Sequence, residues 1–279
     1  MTIVVTGATG NVGRPLVNEL ASAGCRVRAV TRNPGAVFPA GVEVVTSPFD
    51  ALEGASAVFL NSRALGVQLA DVVARAQRGR VTKLVALSAL NADDDFSRQP
   101  SRFRGDRNKE VEQFAVESGL AWVSLRPGVF ASNFAGMWAA QIRAGDVVSG
   151  PCAGASTAPI VDSDIAAVAA RALLSDELDG RKVPLTGPQA FTNSELVEII
   201  GAVLGRPLTY RDVPSDVVRE QFIRIGLGAG FADAYIALLA ETADKPALVT
   251  HEVEKIVGHP AVTFAQWVAE RRGLFTREA

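Results

Sequence analysis

Cysteine, histidine and tyrosine are scarce in this chain: Cys25 and Cys152, His251 and His259, and Tyr210 and Tyr235 are the only residues of their types among 279. Two cysteines exclude a disulfide framework or a cysteine-rich metal site, and make a reducing cytoplasm the expected setting. The two histidines are too separated to suggest a metal site. No apolar run reaches the length of a membrane span, and no basic segment leads into an apolar stretch and a cleavage site, so no membrane partner is expected. The formal net charge of -2 argues against a strongly basic surface, so no nucleic-acid partner is expected either. What is present is 48% hydrophobic and 21% charged, the composition of a globular protein that buries a sizeable core.

The most informative stretch is the first. Ile3-Val4-Val5 belongs to a short apolar run that ends at Thr6-Gly7-Ala8-Thr9-Gly10-Asn11-Val12-Gly13 and gives way to the helix-periodic Arg14-Pro15-Leu16-Val17-Asn18-Glu19-Leu20. The pattern predicts a buried strand, a glycine turn and a helix start, the context a dinucleotide fingerprint requires. Gly7 allows a sharp turn off the strand, Gly10 allows backbone N–H groups to approach a pyrophosphate, and Gly13 allows the helix to lie close to the sheet. Thr6, Thr9, Asn11 and Val12 fill the rest of the cradle, and the helix N-terminus faces the anion. A glycine-rich turn without a ligand is the plainer alternative.

Arg26 to Val30 reads as the second strand. Arg32 then stands where NAD-specific versions of this fold place an acidic residue to accept the ribose 2′-OH. A guanidinium suits a 2′-phosphate instead, so NADP(H) is expected in preference to NAD(H), although the same cradle admits both. Further strands are expected at 41–45, 57–61, 83–88 and 122–125, with helices at 67–76 and 108–116 and one helical turn near Asp50 to Glu53, where Asp50 either caps the turn or lies by an adenine. Ser88 falls at a strand's carboxyl end, facing the ligand crevice. The polar segment 91–107 reads either as a solvated loop or as a lid over the substrate. Asp162 and Asp164 are expected to cap the helix that follows them and to interact favourably with its N-terminus, and Thr192 with Glu195 to form a capping box. The apolar, glycine-interrupted stretch 222–239 suits the wall of a substrate pocket or ordinary helix packing.

The opening Val5-Thr6-Gly7-Ala8-Thr9-Gly10-Asn11-Val12-Gly13, with Leu87-Ser88, Lys109, Ser118-Gly119-Leu120 and Leu125-Arg126-Pro127-Gly128, resembles the NmrA-like family of atypical short-chain dehydrogenase/reductases. Val161 to Ala166, Leu185-Thr186-Gly187-Pro188, Glu195 and Leu204-Gly205-Arg206-Pro207 extend the likeness over most of the chain. The resemblance implies an α/β fold: a Rossmann-type doubly wound parallel sheet, with an NAD(P)-binding domain over 1–130 completed by later segments. A small C-terminal α/β substrate region would occupy most of 131–279.

The resemblance also implies a catalytic set, from which one member is missing. Lys109 fits the lysine of the Tyr-x-x-x-Lys pair and Ser88 the serine strand, but four residues before Lys109 stands Gly105. A quinone accepts hydride without a concerted proton donor, whereas alcohol oxidation needs one. The expected function is therefore NADPH-dependent hydride transfer to a quinone or other planar aromatic substrate, including an aromatic-polyketide tailoring step or a formal oxygenation begun by quinone reduction. Lys109 would anchor the ribose, and Ser88 and Asn133 would lie near the reacting end. A non-catalytic NADP(H)-sensing regulator is the competing expectation, and a homodimer or a monomer suits either.

Overall fold

The computed structural model describes residues 1–243 and 245–276. Its strands are β1 (Thr2–Thr6), β2 (Arg26–Val30), β3 (Glu43–Val45), β4 (Ala57–Asn61), β5 (Lys83–Leu87), β6 (Ala121–Pro127), β7 (Val147–Gly150), β8 (Ser156–Thr157), β9 (Arg181–Leu185), β10 (Phe191–Thr192) and β11 (Thr209–Asp212). The helices are α1 (Gly13–Ser22), α2 (Pro48–Ala51), α3 (Ser62–Leu65), α4 (Leu69–Arg78), α5 (Asn108–Glu117), α6 (Ala131–Ala144), α7 (Asp162–Leu174), α8 (Asn193–Leu204), α9 (Ser215–Arg224), α10 (Ala229–Thr242), α11 (Glu252–Val257) and α12 (Phe264–Glu270).

Seven strands form one parallel sheet in the order β3-β2-β1-β4-β5-β6-β9. Helices cover both faces, which is why β1 and β4 read as near-continuous apolar runs. On one face Leu16, Val17 and Leu20 of α1 pack with Ile165, Ala169 and Leu173 of α7. On the other, Val72 and Val73 of α4 meet Val111 and Ala115 of α5. A third core joins α6, α8 and α12 through Phe134, Trp138, Ile200, Phe264 and Trp267. The strand order reverses between β1 and β4, so the crevice of such a sheet opens beyond the carboxyl ends of those two strands.

The sequence leaves β9 unread. Two exposed cations and Pro184 disguise it, and the sheet tolerates them because β9 is an edge strand paired only with β6. The aspartates expected as caps sit elsewhere. Ser47, not Asp50, caps α2, accepting from the Asp50 N–H, and Asp162 and Asp164 lie inside the first turn of α7, at its positive N-terminus as expected, but behind an N-cap Val161 whose side chain makes no capping bond. Thr192 and Glu195 do form a capping box on α8.

Segment 91–107 contains two short 3-10 turns, Phe96–Arg98 and Pro100–Arg104. It is packed rather than freely solvated. Gln99 is buried and donates to the Asp94 carbonyl at 2.8 Å, while Arg98 pairs with Glu241 of α10. Phe103 lies against Gly230 so closely that a Cβ there would come within 2.4 Å of the ring. The loop and α10 thus form one wall.

Candidate active site

The cradle is built from backbone. Gly7 turns with φ +68 and Gly10 N–H closes onto the Gly7 carbonyl at 2.9 Å. A Cβ on Gly13 would stand 2.1 Å from the Gly7 oxygen, so only glycine lets α1 approach β1 this closely. The α1 terminus has no side-chain cap, and Pro15 in its first turn has no N–H to satisfy. Among the described residues, no hydrogen bond engages the N–H groups of Asn11, Val12 or Gly13. Unpartnered amides at a positive helix end fit the pyrophosphate of a dinucleotide. Thr6 is buried, and its hydroxyl donates to the Phe59 carbonyl at 2.9 Å and accepts from Asn61 N–H at 2.8 Å, fixing the β1–β4 junction beneath the cradle. Asn61 itself lies beside Gly7, a contact that sequence spacing does not disclose.

Arg32 is exposed just past β2, and its guanidinium has no partner among the described residues. Thr9 and Thr31 approach within 3.4 Å through their hydroxyls, bringing the Arg32 turn next to the cradle. Arg14, which sequence reading passes over, donates to the Val37 carbonyl at 2.8 Å and lies over the Phe38 ring, closing the same corner.

Just past the carboxyl end of β5, Ser88 is buried and donates to the Asn108 carbonyl at 2.9 Å. Its hydroxyl therefore pins the start of α5, from which Lys109 projects. Lys109 is half-buried and its ammonium has no partner among the described residues. Asn133 is exposed in the first turn of α6, and the adjoining Ser132 accepts from Asn11 Nδ2 at 3.2 Å. Ser132 in turn donates to Asp162 at 3.1 Å. This chain ties the cradle to the starts of α6 and α7. Burial pushes the Asp162 carboxyl up, while the Ser132 hydrogen bond and the charge of Arg271 hold it down.

Both tyrosines lie in the C-terminal lobe. Tyr210 donates to the Pro151 carbonyl at 2.9 Å, whereas the hydroxyl of Tyr235 on α10 donates to the Met137 sulfur of α6, at 3.3 Å. Burial drives both phenols well above their ordinary range, so both stay neutral at physiological pH. Among the described residues no cluster of three or more His, Cys, Asp or Glu could hold a metal ion, and no helix is long and apolar enough to cross a membrane.

A Rossmann-type sheet with this cradle defines a Rossmann-like α/β fold suited to a dinucleotide, and comparison with known proteins names the family: the chain belongs to the NmrA-like family, whose model matches residues 1–257. It is 33% identical to the (4-alkanoyl-5-oxo-2,5-dihydrofuran-3-yl)methyl phosphate reductase of Streptomyces griseus, over 99% of this chain and 100% of that one. The NAD(P)H azoreductase of Xenophilus azovorans is 29% identical over 98% of this chain and 99% of its own. The NADPH complex of an Escherichia coli quinone oxidoreductase superposes with a TM-score of 0.82 at 23% identity, covering 98% of this chain and 100% of that one.

Proposed function

We propose that this protein is an NADPH-dependent oxidoreductase that transfers hydride to a quinone or another planar aromatic acceptor. One observation carries the reading: the amides at the uncapped start of α1 have no partner, and the unpaired cations of Arg32 and Lys109 follow β2 and β5, so all three sets lie past carboxyl ends of parallel strands, where such a sheet receives its ligand. The relatives named as reductases support it. When bound, the dihydronicotinamide supplies a hydride. The chain's own part is to bind and orient. The Asn11, Val12 and Gly13 N–H groups hold the pyrophosphate, with Thr9 beside them, and Arg32 takes the 2′-phosphate. Lys109, steadied through Ser88 and Asn108, holds the ribose, and Asn133 reaches the reacting end from α6. A tailoring reduction of an aromatic polyketide is the same chemistry on a larger acceptor.

NADPH oxidation followed against a panel of naphthoquinones and anthraquinones tests the proposal. Saturable turnover is expected, and Lys109→Ala should lower kcat/KM about 10–50-fold by loosening cofactor orientation. Arg32→Ala should weaken NADPH about 10-fold, the loss of one charge-assisted contact, and leave NADH binding unchanged. Equal affinity of the wild type for both cofactors would remove Arg32 from this role. The absence of a tyrosine before Lys109 favours one competing reading, a non-catalytic NADP(H) sensor, for which NADPH would bind tightly with no turnover on any quinone.

A further inference from the structure

Gly105 occupies the place where a proton-donating tyrosine would precede Lys109, yet the fold brings a tyrosine from far along the chain. Tyr235 reaches α6 at Met137, which lies on the same helix face as Asn133, one turn further on. The first turn of α6 touches the cradle through the Asn11–Ser132 hydrogen bond. The Tyr235 hydroxyl therefore meets α6 one turn, about 6 Å, beyond Asn133.

Its surroundings hold the ring and spare the hydroxyl. Phe231 stacks on Tyr235 at 6.1 Å and Phe222 meets it edge-on at 5.4 Å. A thioether is a weak acceptor, so the O–H keeps most of its hydrogen-bonding capacity, while the Tyr210 hydroxyl is engaged by a backbone carbonyl. Next to Pro151, the acceptor of the Tyr210 hydroxyl, is Cys152, among the described residues the only non-glycine with positive φ, at 53°, with Asn193 donating to its carbonyl at 3.0 Å. Such backbone outliers gather where a ligand is received.

We propose that Tyr235 donates a hydrogen bond to a carbonyl oxygen of the substrate, a planar quinone-type compound seated between α6 and α10; this rests on the reductase reading above. In the reduction, a C–H bond of the dihydronicotinamide breaks and its hydride and electron pair join the quinone. Negative charge collects on the carbonyl oxygen held by Tyr235, and a proton from water completes the hydroquinone. The tyrosine remains protonated throughout, acting as a preorganised donor to the developing oxyanion.

Tyr235→Phe keeps the aromatic stack and deletes the hydroxyl. It should leave NADPH affinity and Tm unchanged, weaken 1,4-naphthoquinone binding measured by calorimetry about 10-fold, and lower kcat/KM by a similar factor. Met137→Gln, which sets a strong acceptor beside the hydroxyl, should weaken quinone binding in the same direction, and Tyr210→Phe should not. Wild-type naphthoquinone affinity in Tyr235→Phe and Met137→Gln overturns the inference and leaves the reductase intact, as does a wild type that oxidises NADPH without binding this quinone. Naphthoquinone binding that depends on Tyr235, with no NADPH oxidation by the wild type, overturns the reductase reading alone and keeps the hydroxyl as the ligand's donor.

Discussion

Gly13→Ala abolishes the rise in Tm that NADPH produces in the wild type and weakens NADPH binding more than about 100-fold; this is the expected result of adding one methyl group to the cradle. The new Cβ would stand 2.1 Å from the Gly7 oxygen, 2.8 Å from the Gly7 carbon and 2.9 Å from the Ala8 Cα. All three are backbone atoms and none can rotate away. β1 cannot retreat, since the Thr6 hydroxyl binds the Phe59 carbonyl and Ala8 N–H binds the Val30 carbonyl at 3.2 Å. α1 must therefore move off the sheet, carrying its free amides with it. Overpacking of this kind costs about 1–3 kcal/mol of stability, so the variant should fold with a lowered Tm. Unchanged NADPH affinity in a folded Gly13→Ala protein would show that close helix packing is not what shapes the site.

Glu112→Gln should cost about 3 kcal/mol at neutral pH and progressively less as the solution is acidified. The Glu112 carboxylate accepts from Ser124 at 2.6 Å and from both Nε and Nη2 of Arg126, and pairs with Lys182 of β9 at 2.7 Å, so one side chain of α5 fastens β6 and the sheet edge. Burial raises its pKa, but the Arg126 and Lys182 hydrogen bonds overcome that and hold it at about 2, against 4.5 for the free group. A depression of this size corresponds to about 3 kcal/mol of stability. The contribution is complete above the ordinary carboxyl range and fades as pH falls through about 2. Asp106, Asp162 and Asp164 run the other way, because burial raises their values and protonation relieves it. Chemical denaturation from pH 7 to pH 2 should show the curves of wild type and variant converging on the acid side. A constant gap would mean the carboxylate's charge is not what stabilises the fold.

The parallel sheet was legible because a strand covered on both faces must be apolar along its length. β2 and β4 fall on the residues the pattern assigns, and β1 and β5 shift by one at most. β3 is shorter, since only Glu43 to Val45 reach β2. β9 escaped because an edge strand is free to carry cations and a proline. Glycines of the cradle announced themselves by spacing, whereas the links around them did not. Asn11 and Ser132 are 121 residues apart, and Met137 and Tyr235 are 98 apart. Those contacts depend on which helices the sheet brings together. Local periodicity carries no record of that.

The position of β9 also bears on how the chain is made. Residues 1–130 contain the whole cradle, yet the strand that covers the edge of β6 is 181–185, and the helix that covers Leu16, Val17 and Leu20 is 162–174. During synthesis, residues 1–130 therefore present a bare helix flank and an open strand edge while the codons from 131 to 185 are translated, about 30% of the time needed for the first 185. Such a surface invites chaperones and, failing them, self-association. A truncation placed after the cradle should accumulate as insoluble chain, because nothing upstream supplies the missing cover.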